Sequence, residues 1–334
     1  MIRRCVRRAS ASSRLRPAAF GLCIALAAVA GACSVRPAWQ QLAAGAGLRS
    51  QWLDTGAYRH LVIANPHPDR HLRIYIEGDG LPWIRGRRVA VDPTPGNPLL
   101  LRLMLDDEHA ALYLGRPCYF GTATSHPCEP SVWTSRRYGD SVVRSMCEAV
   151  NRLSSERGAL SVGLIGYSGG GAIAVAMQGC TRNLRSIVTI AGNLDVDAWT
   201  KHHGYTPLER PAESSTPGAG AVGVTEIHWQ CSADESVPPA LTDRYFDRHP
   251  QAIRMIVDDC SHDSGWEQYL PRIWADEMPT GSAPGREAAV GEGGLRAVRK
   301  TSLNPDAVQT ILPRSNRPRP SSVAQTQSKI KSTV

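Results

Sequence analysis

The stretch at 160–177 restricts the possible folds more than any other part of the chain. Leu160, Val162, Leu164 and Ile165 have the aliphatic, β-branched character of a short buried strand. Gly166-Tyr167-Ser168-Gly169-Gly170-Gly171 follows, and Ala172 to Met177 opens a helix. A serine at a tight strand-to-helix turn is held in strained backbone, and neighbouring side chains would collide with the strand or the helix, so glycines surround it. The hydroxyl then stands clear of the sheet at the positive end of a helix. A glycine-rich turn with a helix-capping serine is the simpler account of the same residues.

Strand and helix signals alternate on both sides of this stretch. Residues 58–64 and 71–77 read as strands separated by the turn Asn65-Pro66-His67-Pro68-Asp69. The loop Glu77-Gly78-Asp79-Gly80-Leu81-Pro82-Trp83 comes next. A helix is expected over 97–106, a strand over 110–114, and a loop over 118–133. A helix over 141–153 follows, its apolar face formed by Val142, Met146, Val150 and Leu153. After the central stretch come a strand over 184–191 and a long irregular insertion over 192–224. The series closes with a strand over 226–231, a helix over 241–248, a strand over 252–257 and a helix over 265–275. Such alternation builds βαβ units and a mostly parallel, twisted sheet with helices on both faces, an α/β fold. One domain, 50–277, accounts for it.

The formal charge of +8 belongs to the ends of the chain. Residues 1–16 hold six arginines and no acid, and 278–334 hold nine basic residues against three acidic ones, so the body carries a net −4. No basic face with interleaved aromatics marks a nucleic-acid groove, and no nucleic-acid partner is expected. The arginines at the start precede a nearly uncharged apolar run of 15 residues, 18–32. That is shorter than the roughly 20 residues a membrane-spanning helix needs and fits a signal peptide. Its end, Val29-Ala30-Gly31-Ala32-Cys33-Ser34, satisfies the A-x-A rule and resembles a bacterial lipobox. Lipidation of Cys33 would hold the protein at a membrane without a spanning helix. Ser34 after the cysteine resembles lipoproteins of the outer membrane. The expected location is therefore the envelope of a Gram-negative-type bacterium, with secretion as the alternative. Residues 33–49 read as a linker. Residues 278–334, rich in Gly, Ser, Pro, Arg and Gln, read as a disordered basic tail.

Six of the nine cysteines remain once Cys5, Cys23 and Cys33 are set aside: Cys118, Cys128, Cys147, Cys180, Cys231 and Cys260. An even number in an exported chain suggests disulfides. Cys118 and Cys128 close one loop. Cys147 and Cys180 lie on helices flanking the central strand. Cys231 and Cys260 end two consecutive strands and form either a bridge or two buried thiols. No C-x-x-C pair or His-x-His cluster marks a metal site, and no metal is expected.

A serine hydroxyl becomes a nucleophile only with a base to take its proton and a third group to orient that base. Ser232-Ala233-Asp234-Glu235-Ser236-Val237-Pro238 follows one late strand, and Asp259-Cys260-Ser261-His262-Asp263-Ser264-Gly265-Trp266 follows the last. With Ser168 these give the order Ser, Asp, His at the carboxyl ends of three strands, where parallel sheets build their sites. Asp234 as a turn or helix cap, and His262 as a surface residue, are the structural alternatives. Asp258, Asp259, His202, His203 and His228 are the competing acids and bases.

The arrangement resembles the α/β-hydrolase superfamily over about 50–277, with G-x-S-x-G as its nucleophile elbow. The resemblance extends to Ala191-Gly192-Asn193-Leu194-Asp195 with Trp199, which are similar to phrases in exported bacterial hydrolases. It implies a Ser168-His262-Asp234 triad, an acyl-enzyme intermediate, no cofactor, and a small ester or amide substrate, with carboxylic esters as the default. A peptidase or an acyltransferase would use the same residues, and a non-catalytic envelope protein on the same scaffold is the opposing reading. The resemblance also implies an oxyanion hole from the N–H groups of Gly169 and of Asp79, with Gly80 as the alternative to Asp79. Glu77 and Asp79 stand where many esterases carry His-Gly-Gly. Both acidic side chains are therefore expected to point away from the oxyanion, or to select a cationic or hydroxyl-bearing substrate.

Overall fold

The structure, a computed structural model, describes residues 36–209, 223–277 and 296–298. The chain begins with helix α1 (Ala38–Gly45) and strands β1 (Ser50–Asp54), β2 (Arg59–Ala64) and β3 (His71–Ile76). A two-stranded hairpin follows, β4 (Trp83–Ile84) and β5 (Arg88–Val89), then α2 (Leu99–Leu105), β6 (Ala111–Leu114), α3 (Asp140–Glu156) and β7 (Ser161–Tyr167). The second half runs α4 (Gly169–Ala176), β8 (Leu184–Ile190), α5 (Val196–His202), β9 (Thr225–Cys231), α6 (Asp243–Arg248), β10 (Ile253–Val257), α7 (Leu270–Glu277) and β11 (Arg296–Val298).

Nine strands form one sheet in the order β1-β2-β6-β3-β7-β8-β9-β10-β11. β6, β3, β7, β8, β9 and β10 run parallel, while β1, β2 and β11 are antiparallel to their neighbours. Counting only strands of this sheet, the first eight stand in the order 1-2-4-3-5-6-7-8. This is the α/β-hydrolase fold. The sequence reason is visible in the central strands. Leu72, Ile74 and Ile76 of β3, Val162, Leu164 and Ile165 of β7, and Ile187, Val188 and Ile190 of β8 are all buried. β7, covered on both faces, has a nearly continuous apolar run, whereas β3 alternates its aliphatic residues with the equally buried Arg73 and Tyr75. The chain leaves β3 in one direction to reach β6 and returns past it to reach β7, so the strand order reverses beyond the carboxyl ends of β3 and β7. Open α/β sheets bind their ligands at such a crevice.

Several expectations need correction. Residues 33–49 are not simply a linker: α1 lies inside them, with Trp39 and Ala43 buried and the Trp39 ring edge-on to Phe120 at 5.7 Å. One turn of spacing between Trp39 and Ala43 puts both on the face that meets the core. The insertion at 192–224 contains α5, capped by the Asp195 carboxylate accepting from Ala198 N–H at 3.0 Å. The last helix starts later than expected, because Pro271 belongs in a first helical turn and a short 3-10 turn (Glu267–Tyr269) precedes it. Within the expected tail, Arg296–Val298 pairs antiparallel with β10. The rest of the tail, the leader at 1–32 and Cys33 lie outside the described residues. Among the described residues, no helix is long and apolar enough to cross a membrane.

All three cysteine pairs are bonded: Cys118–Cys128, Cys147–Cys180 and Cys231–Cys260. The second ties α3 to the turn after α4, and the third joins the end of β9 to the loop after β10.

Candidate active site

β7 ends at Tyr167 and α4 begins at Gly169, leaving Ser168 as the whole turn. Its backbone has φ 51° and ψ −119°, a region an L-residue enters only at a cost of about 1–3 kcal/mol. Three hydrogen bonds hold it there. Ser168 N–H donates to Ile190 O at 3.0 Å, while Ser168 O accepts from Gly171 N–H and Asn193 N–H, both at 3.0 Å. The glycines are required by contact rather than by dihedral angle. A Cβ on Gly166 would lie 2.5 Å from Gly170 O, and one on Gly170 would lie 2.2 Å from Ile76 O.

His262 and Asp234 meet at this turn. His262 Nε2 is 3.0 Å from Ser168 Oγ, and His262 Nδ1 is 2.8 Å from Asp234 Oδ2. The other oxygen of Asp234 accepts from Ser236 N–H and Val237 N–H, each at 2.8 Å. A carboxylate fixed by two backbone donors cannot swing away from the imidazole. Asp234 is buried, whereas the His262 side chain keeps 20% of its surface exposed, a path for solvent or a small molecule to the ring. Trp266 Nε1–H donates to His262 O at 3.0 Å, and the Tyr167 ring lies 5.2 Å from the imidazole. The Cys231–Cys260 bond sits three residues before Asp234 and two before His262, so it ties together the loops that carry them.

The competing candidates go elsewhere. Asp258 accepts from Ser232 Oγ at 2.5 Å. His228 is buried in β9 beside Thr189 and Glu226. His203 contacts Ser236 O at 2.8 Å, on the outer side of the Asp234 loop, with His202 packed edge-on against it.

The loop after β3 lies directly over the turn. A Cβ on Gly78 would be 3.3 Å from Ser168 Cβ. The Asp79 carboxylate lies beside Gly169, on the side its missing Cβ leaves open. A Cβ on Gly169 would fall 2.1 Å from Asp79 Oδ1 and 2.5 Å from the Tyr138 hydroxyl. Two guanidiniums bracket the carboxylate, Arg116 at 2.6 Å and Arg137 at 3.2 Å, and the Tyr138 hydroxyl donates to it at 2.6 Å. Burial alone would raise the Asp79 pKa, but the Arg137 and Arg116 charges outweigh it and hold the group below its ordinary value. With two cations on one anion, the cluster is net positive beside the serine. That sign favours a developing oxyanion rather than opposing it.

Asp79 O accepts from the Tyr119 hydroxyl at 3.0 Å, fixing the peptide from the other side. Among the described residues, the N–H groups of Gly169 and Asp79 donate to no acceptor. Gly80 is turned toward the 93–95 segment, where a Cβ would lie 2.1 Å from Pro93 O. Glu77 is buried at the start of α2, accepting from Leu100 N–H at 3.0 Å and Gly78 N–H at 3.3 Å. Neither acid is free to select a cationic substrate, because both are taken by internal partners.

Arg116, Arg137 and Tyr138 are the site residues that the sequence did not reveal, and Asn193 stood in it only as part of a resemblance. Arg116, Arg137 and Tyr138 all meet Asp79 from distant segments. The one sequence signal was the unexplained acid at 79, which required buried cations somewhere else in the chain.

Comparisons with known proteins stop at the fold. No family model matches the sequence, and no curated protein is detectably similar. Solved structures are similar in shape only. An α/β serine hydrolase without a lid from Xanthomonas campestris is 15% identical over 68% of this chain and 94% of its own, with a TM-score of 0.43. An esterase from Pyrococcus furiosus is 11% identical over 70% of this chain and 92% of its own, with a TM-score of 0.47. A bacterial membrane phospholipase A is 15% identical over 79% of this chain and 94% of its own, with a TM-score of 0.46.

Proposed function

We propose that this protein is a serine hydrolase acting on carboxylic esters through an acyl-enzyme intermediate. The observation that carries the reading is the chain of contacts Ser168–His262–Asp234, at 3.0 and 2.8 Å, on a strained strand-to-helix turn. In the first half-reaction Ser168 Oγ attacks the substrate carbonyl carbon and its proton passes to His262 Nε2. Asp234 holds the tautomer in which Nδ1 carries hydrogen and stabilises the imidazolium. The carbonyl oxygen becomes an oxyanion, which the N–H groups of Gly169 and Asp79 receive in this reading; that neither N–H donates to an acceptor among the described residues supports it. Collapse of the intermediate breaks the ester C–O bond, and the leaving alkoxide takes the proton from His262. Water repeats the sequence on the acyl-serine, returning free acid and Ser168. Export, with a lipid on Cys33 as the anchor, belongs to the same proposal and rests on the sequence at 1–34.

A fluorophosphonate probe tests the nucleophile. The parent should be labelled stoichiometrically and Ser168→Ala not at all. Hydrolysis of a panel of acyl esters should fall by roughly a millionfold in Ser168→Ala and about ten-thousandfold in Asp234→Asn. A folded parent that neither reacts with the probe nor cleaves any ester or amide of the panel would leave the scaffold reading in its place.

A further inference from the structure

Between the Asp79 loop and α2 the chain makes the β4–β5 hairpin. Trp83 pairs with Val89 and Ile84 with Arg88. Arg87 N–H donates to Ile84 O at 3.2 Å across a turn whose central residues, Arg85 and Gly86, have φ 51° and 66°. Both central φ values are positive, as in the tight hairpin turn that Asn-Gly usually fills. An arginine is held there at a backbone cost.

The hairpin's base is fixed and its tip is bare. Leu81 N–H donates to Pro93 O at 2.8 Å, Ala90 N–H to Pro82 O at 3.0 Å, and Trp133 Nε1–H to Ala90 O at 3.2 Å. At that base Leu81 is 58% exposed and Val91 73%, and toward the tip Trp83 is 44% exposed and Ile84 39%. These are four of the seven large apolar residues exposed among the described residues. Arg85, Arg87 and Arg88 stand among them, all exposed. Among the described residues none of the three has an ion-pair partner, and no acid lies between Asp79 and Asp92.

Trp83 and Ile84 are consecutive in a strand and so present apolar side chains on both faces of the ribbon, and water is a poor environment for such a tip. A second copy of the chain would not cover it, since a two-fold contact sets each patch of three arginines against the other. A nucleic acid would pair the arginines and leave the aliphatic side chains wet. An anionic lipid surface satisfies both halves: Trp, Ile, Leu and Val enter at the headgroup–acyl boundary while guanidiniums meet phosphates. The geometry points to the 81–91 hairpin as a docking surface for membranes that carry anionic lipid.

The placement gives docking a consequence. Leu81 is three residues from Gly78, which lies against Ser168, so a docked tip brings the mouth of the site to the lipid surface. Docking itself does not require the hydrolytic reading, and Ser168→Ala should bind as the parent does.

Tryptophan quenching by brominated phosphatidylglycerol in phosphatidylcholine vesicles tests the assignment on the full chain. Residues 1–35 and 278–334 contain no tryptophan, so the signal comes from the folded body. The parent should be quenched by these vesicles and not by zwitterionic vesicles carrying brominated phosphatidylcholine alone. Trp83→Phe should remove most of the quenching, and Trp52→Phe, at the other exposed tryptophan, should keep it. Arg85→Gln/Arg87→Gln/Arg88→Gln should raise the lipid concentration for half-quenching about a hundredfold, at roughly fivefold per arginine. Circular dichroism checks that each variant is folded. Quenching that survives Trp83→Phe, an arginine variant quenched like the parent, or equal quenching by zwitterionic vesicles would overturn the proposal. So would a dimer that buries the hairpin and is not quenched.

Discussion

Gly169 carries two constraints at one atom. Its N–H is one of the two donors proposed for the oxyanion, and its missing Cβ leaves room for the Asp79 carboxylate and the Tyr138 hydroxyl. Gly169→Ala would force a methyl into space held by Oδ1 of Asp79, which two buried guanidiniums pin in place. The loop carrying the second donor has to move instead. The expected result is a fall in kcat of about 10²–10³, the loss typical of removing one oxyanion donor, with KM changed little. Steady-state kinetics on a soluble ester would show it, and an unchanged kcat would remove Asp79 from the hole. Glu77, two residues earlier, gives a pH signature. Burial pushes its carboxyl up to about 7, against an ordinary 4.5, despite the N–H donors around it. Between those pH values the folded chain keeps a proton that the unfolded chain has lost. Its contribution is therefore complete below 4.5 and declines as pH rises toward 7, by up to about 1.4 kcal/mol per unit. Glu77→Gln cannot ionise, so its melting temperature should drop less than the parent's between pH 5 and pH 8. Parallel curves would place the proton elsewhere.

Local pattern revealed some elements and not others. Ser168, Asp234 and His262 were legible because each follows an apolar strand run, and a parallel sheet collects the carboxyl ends of its strands along one edge. The Asp79–Arg116–Arg137–Tyr138 cluster was not, because its contacts join residues 37 and 59 positions apart with no periodicity between them. Helix α1 was obscured by its shortness, eight residues that include three alanines and a glycine, although Trp39 and Ala43 mark its packing face. The paired cysteines illustrate what an element-level reading can add. Cys231 ends β9 and Cys260 follows β10, strands that run parallel in register from Ile227 opposite Ile253 to Cys231 opposite Val257. Their bond closes a segment of 29 residues, worth about 3–4 kcal/mol on a chain-entropy account. Cys231→Ser/Cys260→Ser should therefore melt well below the parent. On the proposed function, the same change should lower kcat of the folded protein several-fold, since it frees the loops that hold His262 against Asp234. A variant with the lower melting temperature and full kcat would make the bond structural only.

The whole molecule separates chemistry from cohesion along the strand direction. The serine turn, both partner loops and the Asp79 cluster stand at the carboxyl ends of the parallel strands. Nearer the opposite ends lies a second charged group that touches none of them. Arg73 of β3 meets Asp107 at 2.7 Å and Glu277 of α7 at 2.9 Å, and His71 meets Glu277 at 2.8 Å. Ser186 of β8 also bonds to Glu277, and the Tyr75 hydroxyl donates to Asp107 at 2.7 Å. One arginine thus joins the last helix to the middle of the sheet across 204 positions of sequence. Burial alone would raise the Glu277 pKa, yet hydrogen bonds and charge from His71, with Ser186 and Arg73, hold it below its ordinary value. Arg73→Met keeps much of the side-chain volume but leaves two carboxylates dry without their cation, a loss of about 3–5 kcal/mol. The urea midpoint should fall accordingly. Molecules still folded at low urea should retain kcat and KM, because the ion-pair partners of Arg73 are Asp107 and Glu277 and neither is in the serine site. Gly169→Ala should weight the two readouts the other way, a midpoint lowered by no more than about 1–3 kcal/mol of overpacking with little activity left. If Arg73→Met cut kcat as deeply as it cut stability, the two ends of the sheet would be coupled, and positioning of the Asp79 loop would have to be traced through the whole length of β3.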